Sequence, residues 1–439
     1  MPDSRKLNAL IEARTAARLE AATQLRRRIH RYPEPGFEEH RTAETIAEFL
    51  APLGLEVRTG AGRTGVVAMV RGLAAGGPVL AGSSVAAASA APDAGSRRVV
   101  ALRGDMDALS VTEQTGLPFS SERPGFMHAC GHDMHSAIVA GATAVLADLA
   151  SHLPGDVKVL FQPAEESGSR PAPDIDPFKV FKRGAGGAQE MIAAGVLDGP
   201  KVDAIVGMHC WPDLPLGTVG VDPRVAMAGN GSLRVRIRGQ GGHGATPHQT
   251  IDPVPIAASV VLALQTLVSR RNDPANPFVL SVTTIHGGTA PNVIPDKVEL
   301  QATLRSVKPG YLEREVPQRI EQLVRGIVSG YGAECDIACG AGLPVTVNDP
   351  RVVETARRSA AAILGADNVR LLDALSMTSE DFAYYASLVP AVYLKLGVAS
   401  ETSAAPLHNP FFSPDEGALA VGIKIMVRLA FDLCREGIG

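Results

Sequence analysis

Three short apolar runs each open directly onto residues that carry chemistry, and that recurrence constrains the fold more than any other feature of the chain. Residues 99–103 end on Gly104-Asp105-Met106-Asp107, residues 157–161 on Gln162-Pro163-Ala164-Glu165-Glu166, and residues 202–208 on His209-Cys210-Trp211-Pro212. Such runs, bounded by turn residues, read as buried strands. Helical patterns alternate with them. Residues 136–149 form an Ala-rich helix that Asp133 or His132 is expected to cap, and residues 188–194 form another. Strands alternating with helices predict an α/β domain with a mostly parallel sheet. Ligands of such sheets bind beyond the carboxyl ends of the strands, which is where these Asp, Glu and His residues fall.

The flanking sequence fits the same plan. Residues 4–31 read as one amphipathic helix, ended by Tyr32-Pro33-Glu34-Pro35-Gly36, and residues 42–53 as a second, stopped at Gly54. Residues 60–65 match G-x-G-x-x-G, but a Val-rich strand follows instead of a helix. A dinucleotide loop is therefore rejected in favour of a hairpin turn between strands 55–59 and 66–70. Residues 73–98, rich in Ala, Gly and Ser, read as a flexible surface insertion, and residues 168–183, with several prolines, as a second irregular segment.

Near residue 231 the pattern changes. Leu233, Val235 and Ile237 alternate with Arg234, Arg236 and Arg238, a half-exposed strand. A helix over 252–269, strands near 279–285 and 297–305, and a helix over 311–328 follow. This order predicts an inserted α+β sandwich, helices on an antiparallel sheet. From Val352 the α/β pattern returns, with a strand over 391–396. The expected division is a catalytic domain of residues 1–226 and 346–439 carrying a smaller domain of residues 227–345. A length of 439 residues suits two or three domains.

Composition excludes several classes. With 45% hydrophobic and 20% charged residues the chain reads as a soluble globular protein, and a net charge of -4 gives no nucleic-acid surface. Arg26-Arg27-Arg28, flanked by acids, reads as a solvated helix face. No apolar run reaches membrane-spanning length, and no signal peptide is visible. Five cysteines form no disulfide framework, although Cys335 and Cys339 can pair. Cytoplasmic localisation is the expectation.

The densest chemistry lies in His128-Ala129-Cys130-Gly131-His132-Asp133-Met134-His135. A strand-end site can be assembled from Cys130, His132, Glu166, His209 and His408. Thiolate, imidazole and carboxylate together suit zinc, manganese or cobalt rather than calcium or magnesium. The mixed set fits two cations about 3.5–4 Å apart. Glu165 is then free as general base. Asp105 and Asp107 either fix a ligand imidazole's tautomer or cap a turn.

Four segments carry a wider likeness: Arg103–Leu109, His128–Asp133, Phe161–Glu166 and Met208–Pro212. The chain resembles the co-catalytic metal amidohydrolases of the aminoacylase/carboxypeptidase superfamily, and most of all the subgroup of hippurate hydrolases and indole-acetyl-amino-acid hydrolases. The likeness continues, in order, through Gly239–Pro247, Asn292-Val293-Ile294-Pro295, Ser379-Glu380-Asp381-Phe382 and Leu407-His408-Asn409-Pro410. It implies a catalytic domain interrupted by a lid or dimerisation domain, metal ligation by Cys130, His132, Glu166, His209 and His408, and the base role for Glu165. It further implies that His243 stabilises the oxyanion, often in the partner subunit's site, and that Asn292 touches substrate. Arg305 is a candidate for gripping a substrate carboxylate, with an exposed strand arginine as the alternative reading. Relatives outside the subgroup carry His-x-Asp where this chain has Asp105-Met106-Asp107, so Asp105 is not taken as a ligand. Cys130 stands where a bridging carboxylate is otherwise expected. Cys210 is read as packing.

The expected activity is hydrolysis of an N-acyl amino acid to a carboxylate and a free amino acid, with two divalent ions as cofactors. Expected partners are a small N-acyl amino acid or short peptide and a second copy of the chain, as a homodimer or homotetramer. A metallo-exopeptidase, dipeptidase or deacetylase shares the same site chemistry. A metal- or ligand-binding protein without catalysis is the reading from a different class, and an intact Glu165 argues against it.

Overall fold

The computed structural model describes residues 4–74, 97–166, 176–179, 181, 185–401 and 405–437. Helix α1 (Ser4–Arg31) buries Leu7, Ile11, Leu25 and Ile29 along one stripe, and α2 (His40–Leu50) follows the Pro-rich turn. The helix expected to Leu53 ends at Leu50 and tightens into a single 3₁₀ turn, because Pro52 and a left-handed Gly54 close it. Strands β1 (Glu56–Ala61) and β2 (Gly65–Val70) pair antiparallel, which is the hairpin predicted across the glycine motif.

The main sheet is then built from β3 (Val99–Asp105), α3 (His132–Asp148), β4 (Asp156–Gln162), α4 (Gly187–Ala193), β5 (Ala204–Pro215), β6 (Val219–Val221) and β7 (Val225–Met227). An inserted segment supplies β8 (Gly229–Arg238), β9 (Gly242–His243), α5 (Pro253–Ser269), β10 (Phe278–Gly287), β11 (Val293–Ile294), β12 (Lys297–Ser306), α6 (Val316–Gly330) and β13 (Glu334–Ala341). The chain returns through β14 (Thr346–Val347), α7 (Pro350–Leu364), β15 (Val369–Leu371), α8 (Ala383–Ala386), β16 (Ala391–Ala399) and α9 (Gly417–Glu436).

Eight strands form the main sheet in the order β1-β2-β4-β3-β5-β16-β6-β15. Its centre, β4-β3-β5-β16, is parallel throughout, while antiparallel pairs sit toward the edges. Every residue of β3 and β4 is buried, as helix-covered parallel strands require. Helices α3 and α9 pack closely at two small residues. A Cβ on Gly141 would lie 2.5 Å from Ile423, and one on Gly422 would lie 2.6 Å from Ile138. All five cysteines are free. No helix among the described residues is long and apolar enough to cross a membrane.

Two local expectations are corrected. Helix α3 begins at His132 itself, with Gly131 at φ 84° as its cap, so neither His132 nor Asp133 is the capping residue. Asp133 lies in the first turn, where the helix dipole favours its charge. The basic run on α1 is not wholly solvated either. Arg26 is fully buried, its Nε donating to Asp133 Oδ2 at 2.7 Å and its Nη1 to Glu416 at 3.2 Å. An acid on another element, invisible to a local reading, pulled it inward.

The same network contains His30, whose ring nitrogens meet Asp133 at 2.8 Å and Glu113 at 3.2 Å. Burial opposes a charge on His30, but Asp133 and then Glu113 overcome it and raise the imidazole's pKa. Burial would lift Glu113, yet the His30 hydrogen bond and charge hold it down to about 2, below its usual 4.5. A depressed carboxyl stabilises the fold above its unfolded pKa and loses that contribution as pH falls through the folded one. Glu113→Gln is therefore expected to cost about 1–3 kcal/mol at pH 7. The gap from wild type should shrink as pH falls from 4.5 toward about 2, followed by urea midpoints across that range.

The inserted segment forms a second antiparallel sheet, β10-β12-β8-β13, with α5 and α6 on one face. Ile256, Val260, Leu264, Ile320 and Val324 fill that core together with Leu233, Val235 and Ile237. Strand β13 was not anticipated, because Glu334–Ala341 mixes charged and small residues without clear alternation. The final helix also starts later than expected, at Val316, preceded by a wide turn over Tyr311–Glu315. The chain enters and leaves this unit side by side, as β7 pairs antiparallel with β14.

Of the two irregular segments read from the sequence, residues 75–96 of the first lie outside the described residues, as do 167–175, 180 and 182–184 around the second. The described part of the second docks on the helix-free face of the inserted sheet. Asp176 pairs with Arg236 at 2.8 Å, the Arg236 guanidinium covers the Phe178 ring at 4.4 Å, and Phe181 lies against Gly340.

Candidate metal centre

Segments from three strands, one helix entrance and one loop converge beyond the carboxyl edge of the central sheet. Strand β3 delivers Asp105 and Asp107, β4 delivers Glu165 and Glu166, β5 carries His209, the α3 entrance carries Cys130 and His132, and the loop before α9 brings His408. Cys130 Sγ lies 3.3 Å from His209 Nε2 and 3.3 Å from His408 Nε2, and His408 Nε2 lies 3.0 Å from Glu166 Oε1. Two triads of ligand atoms, Cys130/His132/His209 and Cys130/Glu166/His408, therefore share one sulfur. The sequence-predicted ligands are all brought together. Only His408 stands at the open side, its side chain 53% exposed.

Carboxylates and backbone hold these side chains in place. Asp107 Oδ1 accepts from His132 Nδ1 at 3.1 Å, and its two oxygens take the backbone N–H groups of Glu165 and Glu166 at 3.0 Å each. One aspartate thus orients an imidazole and anchors both glutamates. Asp105 meets His135 Nδ1 at 2.6 Å, while His135 Nε2 accepts the N–H of Cys210 at 2.8 Å. The Asp105–His135 chain fixes the backbone beside His209. His209 Nδ1 donates to the Cys210 carbonyl at 2.7 Å, which leaves Nε2 facing the thiol. Cys210 itself is buried packing.

Strain concentrates here. Among the described non-glycine residues, Phe37, Arg63, Ala164 and His408 have positive φ, and the last two lie at this site, at 47° and 63°. Ala164 is held by Glu39, which accepts its N–H at 2.7 Å, and His408 by its own N–H donated to Ala129 at 2.8 Å. Such conformations persist where surrounding contacts over-determine them. Glu39 went unassigned in the sequence because it reads as a surface acid; burial and then Asp107 lift it to about 7.

The donor set fits cations. His132 Nε2 is fully buried without a partner while Nδ1 is engaged, the arrangement of a metal-bound imidazole. Burial alone would lower His132, but Asp105 and then Asp107 lift it to about 10, the mark of a strongly negative pocket. Burial, followed by Glu166 and Glu165, pushes the Cys130 thiol well above its usual range, so a thiolate there needs positive charge beside it. Burial and then His135 hold His209 low, keeping a neutral ligand nitrogen.

Glu165 lies next to this cluster and forms a further group of possible ligand atoms with His132 and Glu166. Its Oε1 accepts the N–H of Asp381 at 3.2 Å, and Oε2 lies 4.0 Å from His132 Nε2. Burial, then Glu380 and Glu166, raises its pKa well above the carboxylate range, which suits a group that must carry a proton. Arg103, fully buried, balances this acidic cluster by donating to Asp105, Gln162, Glu380 and Asp381. Arg103 and Glu380 lie inside segments singled out in the sequence, but only the structure gives them a place.

A cavity of about 410 Å³ opens beside Cys130, Glu165, Glu166, His209 and His408. The inserted sheet and its hinges close the other side with Met227, Asn230, Arg305 and Leu343. Arg305 thus reaches the site, whereas nothing in the sequence pointed to Asn230. His243 and Asn292 do not line this cavity. They sit together on the exposed ribbon of β9 and β11, where Gly244 N–H donates to the Asn292 carbonyl at 2.8 Å. His243 Nδ1 accepts the Ala245 N–H at 3.0 Å, which leaves Nε2 as the free ring nitrogen.

Comparison with known proteins places this geometry among others. The family model described as peptidase family M20/M25/M40 matches residues 101–432. The N-acyl-L-amino acid amidohydrolase of Geobacillus stearothermophilus is 39% identical over 330 residues, covering 74% of this chain and 78% of that protein. Thermostable carboxypeptidase 1 of Saccharolobus solfataricus is 36% identical over 415 residues, covering 93% and 94%. Among solved structures, a dinuclear metal-binding M20 peptidase from Bacillus subtilis superposes with a TM-score of 0.76 at 31% identity, covering 95% of this chain and 98% of that one.

Proposed function

The chain belongs to peptidase family M20/M25/M40 and is a metal-dependent amidohydrolase; from that premise we propose that it cleaves the amide bond of N-acyl or aryl-acyl amino acids, releasing a carboxylic acid and a free amino acid. The observation that carries this reading is that Cys130 belongs to two groups of possible ligand atoms, Cys130/His132/His209 and Cys130/Glu166/His408, with the Glu165 carboxylate beside them at the cavity wall. We take Cys130, His132, Glu166, His209 and His408 as the ligands of two divalent ions, with zinc, manganese or cobalt matching the donors. When bound, the pair supplies Lewis acidity and a more acidic water.

The protein's own groups do the rest. Glu165, its Oε1 anchored by the Asp381 N–H, takes the water's proton and returns it to the leaving nitrogen. Asp107 keeps His132 and the Glu165 backbone in register while this happens. Met227, Leu343 and Leu407 give the acyl group an apolar wall. Arg305 is half-buried, and its hydrogen bond among the described residues goes to the Leu304 carbonyl rather than to a carboxylate, so the substrate's carboxylate is the anion it lacks.

The division at residues 226 and 345 makes the inserted unit a lid. His243 and Asn292, exposed and off the cavity, serve the site of a second copy, with His243 Nε2–H as an oxyanion donor. The test is a screen of acetyl-, benzoyl- and indole-acetyl-amino acids on metal-reconstituted protein. Turnover of at least one class is expected. Failure on all of them with two metals bound would overturn the reading, and preferential cleavage of dipeptides would replace it with an exopeptidase.

A further inference from the structure

Glu39 stands at the N-cap position of α2, yet its side chain makes no capping bond to that helix. It is fully buried, and it reaches the turn that follows β4. Its Oε1 accepts the Ala164 N–H at 2.7 Å, and its Oε2 accepts the Thr64 hydroxyl from the β1–β2 hairpin. An acid at this position normally satisfies the first N–H groups of its own helix. Here that local gain is given up for a partner 125 residues away.

Three consecutive N–H groups of that turn are held by carboxylates, Ala164 by Glu39, and Glu165 and Glu166 by the two oxygens of Asp107. The Ala164 carbonyl accepts the Gly187 N–H at 3.1 Å, so the peptide groups on both sides of its Cα are fixed. Between them Ala164 adopts φ 47°, a left-handed backbone that glycine takes freely and an L side chain disfavours. Released from Glu39, alanine would relax toward negative φ, and rotation there redirects the chain into Glu165. Phe37, two residues before Glu39, and Arg63, directly before Thr64, are left-handed as well, at φ 66° and 83°. The Arg63 guanidinium covers the Phe37 ring at 4.1 Å. Strain of this kind persists only where surrounding contacts over-determine it, and it gathers at functional sites.

We propose that Glu39 is a positioning residue for the proton-transfer step: by pinning Ala164 in its left-handed conformation it aims the Glu165 carboxylate at the reacting atoms. The inference rests on the hydrolase reading above, with Glu165 as the base. Glu39 does not line the cavity, so it acts through the backbone. Glu166 keeps its own anchor on Asp107, which separates the aim of the base from the holding of metal.

The experiment measures kcat, KM and metal content of metal-loaded Glu39→Ala, Glu39→Gln and the double variant Glu39→Ala with Ala164→Gly, on an N-acyl amino acid that the wild type cleaves. Glu39→Ala is expected to lower kcat about 10–10²-fold, the scale of a misplaced catalytic group, with KM and both metals at wild-type values. Glu39→Gln keeps an oxygen for the Ala164 N–H and should stay within about threefold of wild type. Ala164→Gly removes the strain that Glu39 opposes, so the double variant should recover most of the lost kcat. A merely structural role predicts no such rescue. Where Glu165→Gln has already removed the base, Glu39→Ala should cost no further turnover. Should Glu39→Ala not fold, Thr64→Val decides instead. It frees one oxygen of Glu39 and is expected to lower kcat about threefold, again relieved by Ala164→Gly. An unchanged kcat, a loss of metal in step with activity, or a double variant as slow as the single one would overturn the proposal. Wild-type protein that turns over neither acyl amino acids nor dipeptides would instead sink the underlying hydrolase reading, and this inference with it.

Discussion

Turnover by a Glu165→Gln variant should fall about 10³-fold, within the roughly 10²–10⁴ that a positioned acid–base group contributes, while both metals stay bound. The substitution keeps shape and an oxygen for the Asp381 N–H, and the backbone N–H of residue 165 still reaches Asp107. Only the proton acceptor disappears. The variant should also melt no lower than wild type, because burial together with Glu380 and Glu166 already penalises a charge at this position. Metal analysis, thermal melting and steady-state rates on one preparation separate the outcomes. Loss of metal alongside activity would make Glu165 a ligand rather than a base.

Removing the shared sulfur should do the opposite. Cys130→Ala takes one donor from each triad at once, so both ions are expected to weaken together and turnover to vanish for want of metal. A variant retaining one ion at full occupancy would show that the thiol serves a single site. Cys130→Asp provides a sharper contrast. It restores a bridging donor with hard oxygens, so metal should return with its preference moved away from zinc toward manganese. Metal content after dialysis against each ion, measured per chain, reads both effects.

Much of this was legible locally. Strand ends that open onto Asp107, Glu165 and His209 follow from short apolar runs and the turn residues after them, and the alternation on β8 follows from three arginines facing three aliphatics. Long-range pairings were not legible. The burial of Arg26 depends on Asp133 and Glu416, and the place of β13 depends on β8 rather than on its own pattern. The left-handed Ala164 was hidden because nothing in Pro163-Ala164-Glu165 demands it; Glu39, 125 residues away, holds it there. Asn230 carried no signal at all, since its place on the cavity wall arises from a cross-strand rung and a contact with Leu343. His243 and Asn292 were visible only through family likeness, and a single chain leaves them off the cavity.

Anomalous diffraction from crystals of the metal-reconstituted protein tests the central claim most directly. Two peaks per chain are expected, both within bonding distance of the Cys130 sulfur, one reached by His132 and His209 and the other by Glu166 and His408, with Glu165 touching neither. A single peak, or a pair placed away from that sulfur, would contradict the account.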